Sequence, residues 1–318
     1  MAKFRDSTIS PLHVAGAPLQ DADPAVYDRS IGDIISQTNN LTAEQVERVL
    51  QHQQENGLRF GEAAIALGFA SDRDVLFALS QQFHYPYAPE QQRAFSDELV
   101  VASKPFSHQA EAFRSIRSQL IMRVFTGDGS KPALAVVSPD SGDGKTYFAA
   151  NLGVALSQLG GRTLLLDADM RGPRQHAVFG LENTSGLSGI LSGRSDGNVI
   201  QQVPDLPSLF VLPVGVIPPN PLELLERPAF GLLMRELTSK FDHVVVDTPA
   251  GIFGFDATVI AARCGAALAI ARKGSSRMSA LQDLVAMIAQ TSALVAGVIV
   301  NEFEASAIDK ANRKAATR

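Results

Sequence analysis

The sequence predicts an α/β fold, a doubly wound and mostly parallel sheet preceded by a small all-α repeat domain. Two observations predict the sheet. Six unbroken apolar runs recur with helix-like sequence between most of them, and segments rich in glycine or carboxylate stand at their carboxyl ends. A third observation, an internal repeat of 29 residues in the amino-terminal third, predicts the helical domain.

Residues 1–28 carry scattered Pro, Gly and Asp without periodicity and read as a mobile arm. The repeat follows over 29–88. Ile31-Gly32-Asp33-Ile34 returns as Phe60-Gly61-Glu62-Ala63, and the alignment continues through Val46/Val75, Leu50/Leu79 and Gln53/Gln82. Each copy reads as two short helices, with Thr42 or Ser71 as the cap that starts the second of the pair. Pro86, Pro89 and Pro105 mark residues 89–106 as a linker, and the larger domain occupies 107–318. Its strands are expected at Ala133 to Val137, Thr163 to Asp167, Leu209 to Pro213, His243 to Asp247, Ala266 to Ala271 and Ala296 to Asn301. Runs of this kind suit parallel strands covered by helices on both faces.

Composition narrows the function. The 318 residues are 45% hydrophobic, enough to fill two cores, and the formal charge is -5. No basic stripe appears outside the short tail Lys310 to Arg318, so a nucleic-acid partner is not expected. The one cysteine, Cys264, has no disulfide partner, and the opening MAKFRDSTIS lacks a secretory leader, so a cytoplasmic location is expected. His13, His52, His84, His108, His176 and His243 share no metal-ligand spacing.

The chemistry sits at the strand ends. Ser138-Pro139-Asp140-Ser141-Gly142-Asp143-Gly144-Lys145-Thr146 follows a strand and opens a helix that carries Phe148, Leu152 and Leu156 on one face. Glycines 142 and 144 let backbone amides turn onto phosphate oxygens, and the helix N-terminus adds its dipole. Lys145 neutralises β and γ charge, and the Thr146 hydroxyl can ligate Mg2+. The usual first glycine of such a loop is Pro139 here. Asp167-Ala168-Asp169-Met170-Arg171 ends the second run and Asp247-Thr248-Pro249 ends a later one. A Mg2+ ion bridging two phosphates needs a hydroxyl and carboxylates, directly or through water, and Thr146, Asp167 and Asp247 supply that set.

With Glu111-x-x-Arg114-x-x-Arg117, Gly186-Leu187-Ser188-Gly189-Ile190-Leu191 and Pro218-Pro219-Asn220-Pro221-x-Glu223-Leu224-Leu225, these motifs resemble the bacterial tyrosine kinases of capsule and exopolysaccharide synthesis, in particular the chain-length-determinant type. That family is related in fold to the MinD and ParA class of P-loop ATPases. The likeness runs from about Ala110 to Glu302. The MinD and ParA relatives carry a lysine where this chain has Asp140, which separates it from the partitioning ATPases.

The resemblance implies ATP and Mg2+ as cofactors. Lys145, Asp167, Asp169 and Asp247 would form the catalytic set, and Ser141, Gly142, Asp143, Gly144, Lys145, Thr146, Tyr147, Arg171 and Asn301 the nucleotide site, Asn301 lying against the base. Glu111, Arg114 and Arg117, on a helix whose Phe113, Ile116, Leu120 and Val124 face the core, would point outward into a homo-oligomer contact. A membrane-anchored polysaccharide co-polymerase would activate the protein through its cytoplasmic tail and hold it at the inner face of the plasma membrane. Family members usually end in a tyrosine cluster. This chain has only Tyr27, Tyr85, Tyr87 and Tyr147. A non-kinase ATP-driven assembly switch is therefore the alternative. The amino-terminal repeat resembles the domain that precedes the ATPase of type II secretion and type IV pilus motors. That likeness implies either cyclic di-GMP binding at Arg59, Gly61, Gly68 and Gln82 or a docking protein.

Overall fold

The computed structural model describes residues 30–82, 95–126, 131–194 and 199–302. The arm expected over 1–28 and the tyrosines Tyr27, Tyr85 and Tyr87 lie outside the described residues.

The repeat forms four helices whose starts keep the 29-residue offset: α1 (Ile31–Thr38) matches α3 (Phe60–Ala66), and α2 (Ala43–Asn56) matches α4 (Asp72–Gln82). The starts of three of them are set by reciprocal side-chain and backbone hydrogen bonds, while at α3 only the Arg59 N–H donates to the Glu62 carboxylate, at 2.8 Å. Ser30 with Asp33 opens α1 and Thr42 with Gln45 opens α2. Ser71 with Asp74 does the same before α4, the Ser71 N–H donating to the Asp74 carboxylate at 2.7 Å and the Asp74 N–H to Ser71 Oγ at 3.3 Å. The offset therefore repeats a folding instruction as well as an apolar stripe. Ile35, Val49, Ala63, Ala64 and Ala78 are fully buried between the helices. A Cβ placed on Gly61 would lie 2.8 Å from Val75 Cγ1, so the glycine permits α3 and α4 to touch. Gly61→Ala is expected to destabilise the repeat by about 1–3 kcal/mol, read as a lower urea midpoint at unchanged slope.

Residues 95–106, expected as linker, are instead part of the larger domain. They hold α5 (Val100–Ser103), and Leu99, Val101 and Ala102 are fully buried. The physical reason lies in the next helices. α6 (His108–Arg123) and α5 pack on α7 (Lys145–Ser157), which is buried along nearly its whole length and needs cover on its outer side. Asn151 stitches the layers, accepting from Val101 N–H at 3.1 Å and donating to the Glu98 carbonyl at 2.9 Å.

The described residues form a seven-stranded sheet: β1 (Ala133–Val137), β2 (Thr163–Asp167), β3 (Gln201–Val203), β4 (Leu206–Leu212), β5 (His243–Asp247), β6 (Gly265–Arg272) and β7 (Leu294–Asn301). The spatial order is β3-β4-β2-β5-β1-β6-β7, and every pair is parallel except β3 with β4. The six expected strands are present, three of them, β4, β6 and β7, longer than their apolar runs. β3 is additional, a short antiparallel edge. On one face lie α5, α6 and α7. The other carries α12 (Asp256–Cys264), α13 (Met278–Ala289), α11 (Pro228–Lys240), α10 (Pro221–Glu226) and the five-residue α9 (Leu187–Leu191). The short α8 (Gln175–Val178) follows β2. β1, β2 and β5 are central and parallel, so their carboxyl ends open on one crevice. Among the described residues no helix is long and apolar enough to cross a membrane.

Candidate active site

Parallel register sets the centre of the site. Asp167 of β2 and Asp247 of β5 are paired residues at the ends of adjacent strands, both fully buried. Asp167 accepts backbone N–H bonds from Asp169 at 3.1 Å and from Arg174 and Gln175 at 3.0 Å. Asp247 Oδ2 accepts from Gln175 Nε2 at 2.8 Å and is also bonded by the Thr146 side chain. Its Oδ1 is buried with no hydrogen-bond partner. Burial and the facing carboxylate Asp247 push the Asp167 carboxyl well above its ordinary range, against the backbone donors of Gln175 and Arg174. Burial raises Asp247 to about 6, with Lys145 and the hydrogen bonds pulling the other way.

Lys145 is the counter-charge. It opens α7 with only 6% exposure, and its Nζ donates to Ser138 Oγ at 3.0 Å. Burial lowers its pKa, opposed first by the charge of Asp247 and then by those of Asp169, Asp143 and Asp140. One cation thus faces a cluster of carboxylates at the N-terminus of a 13-residue helix. Gly142 and Gly144 take φ of +83° and +98°, the left-handed region that turns successive amides to one side.

The loop is held from outside by residues with no motif of their own. Asp143 is fully buried, accepting from Asp140 N–H at 3.0 Å and from the Ser276 hydroxyl at 2.7 Å. Arg272 donates to the Gly142 carbonyl at 3.3 Å. Asn301, expected against a nucleotide base, donates its side-chain amide to the Asp143 carbonyl at 3.0 Å. A Cβ on Gly144 would lie 2.3 Å from that amide nitrogen, so this glycine is needed for space as well as for its dihedral angle.

Asp169 accepts from the Arg171 and Gly172 amides at 3.1 and 3.0 Å. The Arg171 guanidinium turns away to Asp256, at 3.1 and 3.3 Å, and lies 6.0 Å from the Phe253 ring centroid. Ser141 is exposed at the loop's tip. Tyr147 does not join the polar groups: its ring packs edge-on against Phe113 at 5.9 Å, and burial raises its pKa.

The arginines expected to face outward on α6 fold back instead. Arg114 pairs with Glu111 at 2.8 Å and donates to the Pro105 carbonyl at 2.7 Å, with its side chain only 16% exposed. Arg117 donates to the Ala155 carbonyl at 2.7 Å. Arg117 stands four residues after buried Phe113 and three before buried Leu120, on the packed face of α6, and from there its long stem reaches a carbonyl in the last turn of α7, while Arg114 reaches back to the carbonyl that precedes α6. Glu111 remains exposed at 65%.

Sequence reasoning missed Gln175, which bridges Asp247 to the Thr146 carbonyl, and Ser138, Ser276 and Asp256. Of these only Ser138 lay inside a recognised motif.

A glycine loop at a helix N-terminus, a buried lysine and two strand-end carboxylates on a mostly parallel sheet define a P-loop nucleotide-binding protein. The model of the CobQ/CobB/MinD/ParA nucleotide binding domain matches residues 134–318. Tyrosine-protein kinase wzc of Salmonella typhimurium is 32% identical over 206 residues, 65% of this chain and 28% of that protein. Putative tyrosine-protein kinase CapB of Staphylococcus aureus is 31% identical over 205 residues, 64% of this chain and 89% of that protein. Among solved structures, the kinase domain of Escherichia coli tyrosine kinase ETK superposes with a TM-score of 0.62 at 28% identity, covering 69% of this chain and 86% of that one. The chain belongs to the CobQ/CobB/MinD/ParA nucleotide-binding family and, within it, to the bacterial tyrosine-protein kinases. It spans 28% of the length of wzc, and the helical repeat lies outside the family match.

Proposed function

We propose that the chain is a Mg2+- and ATP-dependent protein tyrosine kinase of the polysaccharide polymerisation and export machinery. The observation that carries the reading is the buried pair Asp167 and Asp247, one of them with a carboxylate oxygen left free, facing Lys145 across adjacent strand ends. Kinship to CapB and to the ETK kinase domain gives the reaction class.

The residues fit a divalent ion held beside phosphates. The unpartnered Asp247 Oδ1, the Thr146 hydroxyl and Asp167 are hard oxygen donors in one place. Among the described residues no cluster of three acidic, histidine or cysteine side chains gathers, so phosphate and water oxygens would complete the shell. When bound, Mg2+ supplies charge neutralisation between the β and γ phosphates. Lys145 and the amides of residues 142–146 hold the same phosphates in line. In the transfer, the tyrosine oxygen forms a bond to the γ phosphorus as the bond to the β,γ-bridging oxygen breaks. The phenolic proton passes to the carboxylate of Asp167 or Asp169, and ADP leaves. A carboxyl whose pKa is raised accepts a proton more readily than an ordinary one, which suits Asp167 to this role.

A membrane-anchored co-polymerase is the proposed partner, its cytoplasmic tail docking on this chain at the inner face of the membrane. The helical repeat is proposed as a docking module. Gly61 and Gly68 of the cyclic di-GMP pattern each have a conformational task, contact with Val75 and a φ of +71°, that accounts for them without a ligand.

The α6 motif is proposed as a self-association contact through the exposed Glu111. Glu111→Lys is expected to lower the particle mass in light scattering while leaving the melting temperature within about 2 °C, because an exposed charge contributes little to folding. An unchanged mass removes the contact.

The kinase reading is tested by incubating the full chain with labelled ATP, Mg2+ and a random glutamate–tyrosine copolymer, followed by phosphoamino-acid mapping. Phosphotyrosine on the copolymer or on the chain is the expected result. Phosphate release with no phosphotyrosine overturns the reading in favour of the assembly switch.

A further inference from the structure

We infer that Ile252, Phe253 and Phe255 form the seat of the acceptor tyrosine, an apolar rim that takes an aromatic ring and its flanking apolar groups; this rests on the kinase reading above. These side chains stand 62%, 49% and 61% exposed, large apolar groups within four positions of one another. Apolar clusters of this kind on a polar surface mark recognition sites.

The segment that carries them is anchored to the site. It leaves β5 directly after Asp247-Thr248-Pro249, and the Gly251 N–H donates to the Ser138 carbonyl at 2.8 Å. The Ile252 N–H donates to the Pro139 carbonyl at 2.9 Å. The first turn of the rim is therefore bonded to the first two residues of the phosphate loop. Buried Thr248 adds a third tie, its hydroxyl donating to the Val136 carbonyl at 2.8 Å. On the other flank, Arg171 lies over the Phe253 ring while its own N–H bonds Asp169. Asp256, only 1% exposed at the start of α12, holds that guanidinium with both carboxylate oxygens. The rim is thus bonded on one flank to the phosphate loop and joined on the other, through Arg171, to the Asp169 turn that follows β2.

The occupant follows from this continuity with the phosphoryl site. Transfer to tyrosine needs a phenol delivered with its ring shielded and its hydroxyl free. An apolar, partly aromatic surface offers the ring offset or edge contacts and gives nothing to water or to an aliphatic hydroxyl. The rim therefore acts as a specificity device for the class of acceptor.

The test uses the full chain with the same copolymer. In Phe253→Ala, and separately in Ile252→Ser with Phe255→Ser, the KM for the copolymer is expected to rise at least about tenfold while kcat at saturation falls less. Mg·ADP affinity is expected to stay within about twofold, and Phe253→Tyr is expected to restore the KM. An unchanged KM overturns the seat while leaving the kinase reading intact. A parallel loss of Mg·ADP affinity assigns these residues to the fold of the nucleotide site and also overturns it. A fall in particle mass makes the rim a contact between copies instead. If the wild-type chain forms no phosphotyrosine, the seat falls together with the reading it rests on.

Discussion

Replacing Lys145 with methionine is expected to lower phosphoryl transfer at least about 10³-fold and to abolish the rise in melting temperature that Mg·ADP gives the wild-type chain. The size of the effect follows from position. The ammonium is 6% exposed, bonded to Ser138 Oγ, and is the cation that the charges of Asp247, Asp169, Asp143 and Asp140 act on. Methionine fills the same space but leaves the transferring group uncompensated in a site of low dielectric. The ligand-free variant should still fold, since Asp247 can take up a proton once its counter-charge is gone. Differential scanning fluorimetry with and without Mg·ADP, beside a phosphotransfer assay, checks both halves. Retention of more than a tenth of the activity would sink the assignment.

The second large effect is on protons. Asp167 and Asp247 both have folded pKa values above the ordinary 3.8, Asp247 near 6 and Asp167 raised well clear of its usual range. A carboxyl raised on folding contributes stability while it is protonated in both states and loses it as pH rises through the folded value. For Asp247 that window runs from about 4 to about 6. The ligand-free chain is therefore expected to lose on the order of a few kcal/mol from Asp247 between those pH values, and Asp167 adds to the loss in the same direction. Bound Mg2+ and phosphate reverse the balance, because metal ligation needs the carboxylates ionised. Titration calorimetry of Mg·ADP at pH 6.5 in buffers of different ionisation enthalpy should report a net release of protons on binding. Asp247→Asn should reduce that release. Equal enthalpies in all buffers would contradict the shared burial of the pair.

Much of this was legible from residue patterns, and the exceptions have physical reasons. The strand ends and the glycine loop are local features, and Asp167 and Asp247, though far apart in sequence, were each legible because they close an apolar strand run. β3 escaped notice because Gln201 and Gln202 lie on an edge and carry no apolar alternation. The prolines on either side of α5 suggested a linker, while the run Leu99-Val100-Val101-Ala102 was the truer signal, since α7, buried along nearly its whole length, needs an outer cover. Gln175, Ser276 and Asp256 act through contacts 72, 133 and 85 residues away in the chain, which no local pattern encodes. Arg117 was misread as outward although its spacing from Phe113 and Leu120 puts it on the packed face of α6, and Arg114 because its long stem turns back to the Pro105 carbonyl.

Asp143, held by Ser276 and Asn301, also bears on biosynthesis. The bond from Asn301 closes a span of 158 residues. A chain emerging from the ribosome has its glycines and lysine in hand long before β7 is made, yet lacks the clasp that shapes them. Grip on nucleotide is then a late event in maturation, and translation intermediates halted short of residue 301 would carry the motif without the affinity.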